Sequence, residues 1–466
     1  MKRLVFVLLA AIAAVGQSNT LPQAQATQID ALVKRVLSDT GVPSCSIAIV
    51  KDGKIAYANA YGNARLAPDV AAKRETRYAI GSISKQFTAA TLLMLQEQGK
   101  LSIDDPVAKY FPELTRAKEV TIRNLLSHTS GYQDYYPQDY VPVFMQTPTT
   151  AQHIMDVWAK KPLDFDPGTQ WQYSNTNFVI AGAIAEKVSG EKLFDMLSAR
   201  IFRPLEMKSV ENLDDLPIRT PDASGYFRYA AGPPVVETPE APGWLFAAGE
   251  LYMTASDLAR WDISVMEQTI LSPASYKQLE TEVPLKSGAH TGYALGVDVG
   301  TRNGHRYVAH DGEVAGFIAD NLVLPDDKMA VVILTNEMAS HAAGPIESGT
   351  MKLLLGGSAQ ASGEETKRTA EMRSILEQLA QGKIDRSLFT EDCNQFFSDK
   401  ALEAYRASLT EQGKLVSFTQ DGDARSRGGM TLRAYDAIYS NGKKFAVTTF
   451  TTPEKKLEQF LVVPRE

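Results

Sequence analysis

The tightest constraint on this fold is the placement of its strand-forming residues in two blocks, one early and one late, around a long helical middle. Cys45–Lys51 and Ile55–Tyr61 flank Asp52-Gly53, a dipeptide that accepts the left-handed conformations a two-residue hairpin needs. Much later, Tyr293–Val299, Arg306–His310, Phe317–Leu324 and Met329–Thr335 follow one another, with Pro325-Asp326-Asp327 as the turn between the last two. Short turns make antiparallel neighbours, so the two blocks are expected to complete one antiparallel sheet covered by helices. The residues between them read as helices at Thr121–Ser127, Asn177–Val188 and Lys192–Phe202, with Pro204 beyond the last. Tyr132–Pro148 and Pro221–Pro242 read as loops, long enough to be walls of a functional site.

A helix over Ala343–Leu355 closes this region, and the small, polar stretch from Gly356 to Arg368 has the composition of a linker. Beyond it a helix over Ala370–Gln381 precedes strands at Leu415–Thr419, Met430–Tyr439, Lys444–Thr452 and Glu458–Val463. The fold class is therefore α+β: an antiparallel sheet flanked by helices plus an all-helical subdomain, then a smaller α+β domain. The expected boundaries are 1–16 for a signal peptide, 27–356 for the main domain, 357–368 for the linker and 369–466 for the accessory domain.

Met1-Lys2-Arg3 followed by the apolar run Leu4–Val15 and the small residues to Gly16 reads as a cleaved signal, too short to span a bilayer. The expected location is secreted or periplasmic, with no stable membrane insertion afterwards. A net charge of −7 gives no basic footprint for nucleic acid. The two cysteines, Cys45 and Cys393, lack any C-x-x-C spacing and read as buried thiols, although an oxidising compartment permits a bridge. His128, His153, His290, His305 and His341 show no metal-ligand spacing, and no phosphate loop is present, so neither metal nor cofactor is expected.

Ser-x-x-Lys occurs three times, at Ser82–Lys85, Ser189–Lys192 and Ser440–Lys443, so the bare pattern decides nothing. Ser189 and Ser440 fall in turns. Ser82 opens a helix, where one turn puts Lys85 on its face and the helix N-terminus offers N–H groups to an oxyanion. A serine hydroxyl needs a base, and lysine serves only when burial or a nearby cation lowers its pKa. Tyr173-Ser174-Asn175, after the turn Pro167–Trp171, is placed to bring a phenol and an amide into the same cleft: Tyr173 to relay the Ser82 proton, Asn175 to bond Lys85 and a substrate amide. In His310-Asp311-Gly312-Glu313, Gly312 permits close backbone approach and the N–H of Glu313 is a second oxyanion donor beside that of Ser82.

Gly81–Lys85, the run Thr121–Gly131 (TIRNLLSHTSG) and Pro167–Asn175, in this order, resemble the serine β-lactamase and penicillin-binding-protein superfamily, in its branch of class C β-lactamases, D-alanyl-D-alanine carboxypeptidases and esterases. The resemblance runs from about Ile29 to Leu355. It implies that Ser82 is the nucleophile, Lys85 the lysine of the first motif, and Tyr173 and Asn175 the second motif. His310-Asp311-Gly312 stands where that family has Lys-Thr-Gly, so a permanent cation for a substrate carboxylate is replaced by a histidine charged only part of the time. The expected activity is acyl transfer to water through a Ser82 ester, on a small-molecule or peptide substrate: an ester, an amide or a D-amino-acid peptide. A non-catalytic sensor of cell-wall peptides is the alternative. The C-terminal segment resembles the curved-sheet cone of nuclear transport factor two-like domains, with Phe396, Phe397, Phe418 and Phe450 read as core. Oligomeric state is left open.

Overall fold

A computed structural model describes residues 20–138, 140–215, 222–228, 232–338, 340, 342–355, 363–427, 430–452 and 454–465. The expected signal peptide, His341 and the first half of the expected linker, residues 357–362, lie outside the described residues. Helix α1 (Gln23–Thr40) leads into the hairpin β1 (Ser44–Lys51) and β2 (Lys54–Leu66). Asp52 and Gly53 both take positive φ, 52° and 71°, the geometry of the tight turn their identities anticipate. After β3 (Asp69–Ala71) come α2 (Ser84–Glu97), α3 (Asn175–Ser189) and α4 (Ala255–Glu267). The late block forms β4 (Asp298–Arg302), β5 (His305–Val314), β6 (Phe317–Leu324) and β7 (Met329–Thr335), closed by α5 (Ala343–Leu355).

These strands form one antiparallel sheet in the order β3-β2-β1-β7-β6-β5-β4. The first and last blocks meet where β1 pairs with β7, from Cys45 opposite Thr335 to Val50 opposite Ala330. Both strands are buried on both faces, so their side chains alternate between two cores. Cys45, Ile47, Ile49, Val331 and Ile333 pack with α1 and α5 on one side. Ala48, Val50, Val332 and Leu334 pack with α2, α4 and the helical region on the other.

Two expected elements differ. Tyr293–Val297 is a bend and not a strand, because Gly296 turns at φ 77° and brings its Cα against the main chain of α2: a Cβ there would stand 3.0 Å from the carbonyl of Lys85. The expected helix Lys192–Phe202 is helical over Leu193–Leu197 and then widens, with Arg203 N–H bonding Ser198 O ahead of Pro204, which has no N–H to continue the ladder.

Helix α6 (Gly363–Leu379) begins inside the stretch read as linker. The C-terminal domain is a four-stranded antiparallel meander, β8 (Leu415–Arg427), β9 (Met430–Tyr439), β10 (Lys444–Thr451) and β11 (Leu457–Arg465). One face of that meander buries Tyr435, Ala437, Tyr439, Val447 and Phe460 with Leu376 and Leu379 of α6. Cys45 and Cys393 are both buried and unbonded. Among the described residues, no helix is long and apolar enough to cross a membrane.

Candidate active site

Ser82 lies in a single 3-10 turn, Gly81–Ile83, which feeds α2. Gly81 holds φ at 51°, and a Cβ on it would sit 2.8 Å from the backbone nitrogen of Glu313. Gly312 is tighter still, since a Cβ there would reach 2.0 Å from the Ile80 carbonyl oxygen and 3.2 Å from the nitrogen of Ser82. Only glycines allow the serine turn and the end of β5 to approach like this. Strand β4 pairs with β5 only as far as Ala309, which leaves the stretch His310–Val314 to line the serine turn. The backbone nitrogens of Ser82 and Glu313 thus lie beside the same glycine pair, as an oxyanion site requires.

Lys85 is completely buried, one turn behind Ser82. Its Nζ donates to three oxygens, each at 2.8 Å: Ser82 Oγ, Asn175 Oδ1 and the carbonyl of Ala248. Burial pulls its pKa down to about 7, against the charges of Asp134 and Asp311, which favour the ammonium. A substantial neutral fraction is therefore present at neutral pH, directly against the serine hydroxyl. Ser84, the other hydroxyl of the motif, accepts the Leu251 N–H at 3.2 Å and is structural.

The Tyr173 ring lies under Lys85, with Nζ 4.9 Å from its centroid. Burial raises the phenol pKa well above 10, eased only by a bond to the Ser82 hydroxyl, so Tyr173 keeps its proton. That contact falls short of a full hydrogen bond, since the Tyr173 hydroxyl is buried without a partner in good geometry. The phenol is therefore poised as a donor and Lys85 as the acceptor. Behind it, the His128 ring stacks at 4.2 Å, and His128 Nδ1 accepts the N–H of Ser174 at 3.1 Å. The run Thr121–Gly131 thus acts by holding Tyr173 in place.

Asn175 joins Lys85 as expected, and its amide nitrogen is held by protein acceptors. Nδ2 faces both carboxylate oxygens of Asp134 and the carbonyl of Tyr136, each at 3.3 Å, and its backbone N–H reaches Asp134 Oδ1 at 2.9 Å. His310 also departs from expectation. Its Nε2 meets Tyr293 Oη at 2.8 Å and its Nδ1 faces the Asp311 carbonyl. A carbonyl only accepts, so Nδ1 carries the proton and Nε2 accepts from the tyrosine. Burial lowers its pKa to about 4. His310 is a neutral strut at neutral pH and not a part-time cation for a carboxylate.

Sequence reasoning missed three contributors. Asp134 sits in the loop flagged as a site wall, and its position amid tyrosines was the one available signal. Glu240, in the proline-rich loop, accepts from Tyr136 Oη at 2.8 Å and from the N–H of Ala315 at 3.1 Å, tying both loops to the end of β5. The carbonyl of Ala248 carries no sequence signal at all. The two other Ser-x-x-Lys stretches are structural: Ser189 Oγ bonds the carbonyl of Ala185 at 2.8 Å at a helix end, and Ser440 Oγ accepts the Lys414 N–H at 3.0 Å.

Residues 29–355 match the Beta-lactamase family model. A D-aminopeptidase of Brucella anthropi is 29% identical over 300 residues, covering 63% of this chain and 56% of that protein. One of Brucella canis is 27% identical over 323 residues, covering 68% and 60%. The chain thus spans under two thirds of the length of these curated relatives. Among solved structures, the octameric penicillin-binding protein homologue from Pyrococcus abyssi superposes with a TM-score of 0.65 at 22% identity, over 94% of this chain and 99% of that one. The D-amino acid amidase from Ochrobactrum anthropi SV3 complexed with D-phenylalanine gives 0.63 at 23% identity, over 72% and 99%.

Proposed function

The chain belongs to the Beta-lactamase family, and from that premise we propose an exported serine hydrolase that cleaves amides or short peptides of D-amino acids through a Ser82 acyl-enzyme. One observation carries the acyl transfer: a buried lysine, its pKa lowered to about 7, with Nζ 2.8 Å from a serine hydroxyl. In the forward step neutral Lys85 takes the Ser82 proton as Oγ attacks the substrate carbonyl. The N–H groups of Ser82 and Glu313 hold the oxyanion, and Tyr173 gives its proton to the departing amine. Lys85 next passes the serine proton to the Tyr173 phenolate, which restores the neutral amine; water then attacks the ester as Lys85 takes its proton, and that proton goes to Ser82 Oγ as the acid leaves.

Two things favour D-amino-acid substrates with a free amino group. The relatives include D-aminopeptidases and a D-amino acid amidase. The carboxylate of Asp134 lines the same cavity as Tyr173; burial raises its pKa, against the N–H groups of Tyr136 and Asn175 and the Lys85 charge, and an ammonium in the cavity would further favour the anion. The neutral state of His310 argues against efficient turnover of β-lactams, whose carboxylate calls for a cation. The test is a panel on the purified protein: D- and L-phenylalanine amides, a short-chain ester and a chromogenic cephalosporin. Turnover of the D-amide at least a hundredfold faster than the L-amide and the cephalosporin supports the reading. A cephalosporin rate equal to the D-amide rate overturns it.

A further inference from the structure

The cavity at the mouth of the site, about 700 Å³, is not enclosed by the hydrolase domain alone. Pro137, Trp171 and Tyr173 line one side, and Met430, Phe450 and Gln459 of the C-terminal domain line the other. The meander has two faces, and its core occupies one of them, with Tyr435, Val447 and Phe460 buried there. Phe450 projects from the opposite face, where it stands across from Gln459 and, through Leu432, in line with Met430. Phe450, read from sequence as a core residue, is therefore an outward-facing residue of its own domain. Phe397 and Phe418 are in that core, and Phe396 is half-exposed.

Resting on the acyl-transfer reading above, we propose that the outer face of the C-terminal sheet is the far wall of the substrate pocket, and that Phe450 and Met430 select substrates carrying a bulky apolar side chain. Two aromatic side chains, Trp171 and Phe450, border one open cleft with Met430, and its roughly 700 Å³ admits an amino-acid amide or a short peptide. Asp134 at the same cavity takes the ammonium, so charge and apolar group are read from different parts of one cleft.

The test uses the full chain with Phe450→Ala, Phe450→Leu and, as a control on the same domain away from the cavity, Phe396→Ala. Two ratios are measured: kcat/KM for D-phenylalanine p-nitroanilide over D-alanine p-nitroanilide, and the rate of Ser82 labelling by a phenyl-bearing over a methyl-bearing fluorophosphonate. Phe450→Ala is expected to lower both ratios about tenfold, through KM in the first, with Phe450→Leu retaining most of the preference and Phe396→Ala all of it. Ratios within twofold of the parent in Phe450→Ala, or an equal fall in Phe396→Ala, overturn the proposal. If the parent turns over neither anilide, the D-amino-acid reading fails, and the labelling ratio still decides the wall.

Discussion

Asp134→Asn probes how the site keeps Lys85 basic enough to work and neutral enough to act. Burial takes the Lys85 pKa from 10.5 to about 7, a shift of roughly 5 kcal/mol against the ammonium. Asp134 opposes that shift through Asn175, whose Oδ1 holds Lys85 and whose Nδ2 faces the carboxylate. Across the amide the two charges are roughly 7 Å apart, where a unit pair at an effective dielectric near 20 interacts by about 2 kcal/mol. Replacing the carboxylate should therefore lower the Lys85 pKa by about 1.5 units. An asparagine oxygen still accepts the N–H groups of Asn175 and Tyr136 that Asp134 Oδ1 now takes, at 2.9 and 3.1 Å, so the loop should hold. The neutral amine is the base, so Ser82 labelling by a small fluorophosphonate should rise with pH through a midpoint near 7 in the parent. In the variant the midpoint should lie about 1.5 units lower, near 5.5, while KM for a D-amino-acid amide rises because the ammonium has lost its anion. An unmoved or raised midpoint would refute the electrostatic reasoning.

Tyr173→Phe should slow amide hydrolysis by about 10²–10⁴-fold and hydrolysis of a p-nitrophenyl ester far less, because only the amine leaving group needs a proton; equal losses on both substrates contradict this. In an NMR titration of the folded protein, the His310 ring should show no inflection above pH 5, given its pKa of about 4; a midpoint near 6.5 would restore the part-time cation. Gly312→Ala should abolish labelling, because the added methyl would stand 2.0 Å from the Ile80 carbonyl oxygen. Gly190→Ala, with nothing within 4 Å but φ at 74°, should leave labelling intact and cost about 1 kcal/mol in a denaturant melt.

Much of this architecture can be read from local pattern. Asp52-Gly53, Phe317–Leu324, Met329–Thr335 and Ala343–Leu355 are local signals, and their bounds coincide with the observed turn, strands and helix. Tyr293–Val297 misleads because its strand-like residues obey a tertiary contact, the approach of Gly296 to α2. The site divides the same way. Ser82, Lys85, Tyr173 and Asn175 lie in recognisable segments and meet in space. The role of His310 depends on burial and on Tyr293, which no spacing discloses. Phe450 shows the same limit from the other side, since period-two alternation says that a strand has two faces but not which face meets another domain.

The central claim is that Ser82, activated by Lys85, accepts the acyl group. Intact-mass measurement after incubation with a fluorophosphonate tests it most directly, on the parent chain and on Ser82→Ala. The parent should gain one adduct, mapped to Ser82, and the variant none. An adduct of the same mass and yield on Ser82→Ala would contradict the account.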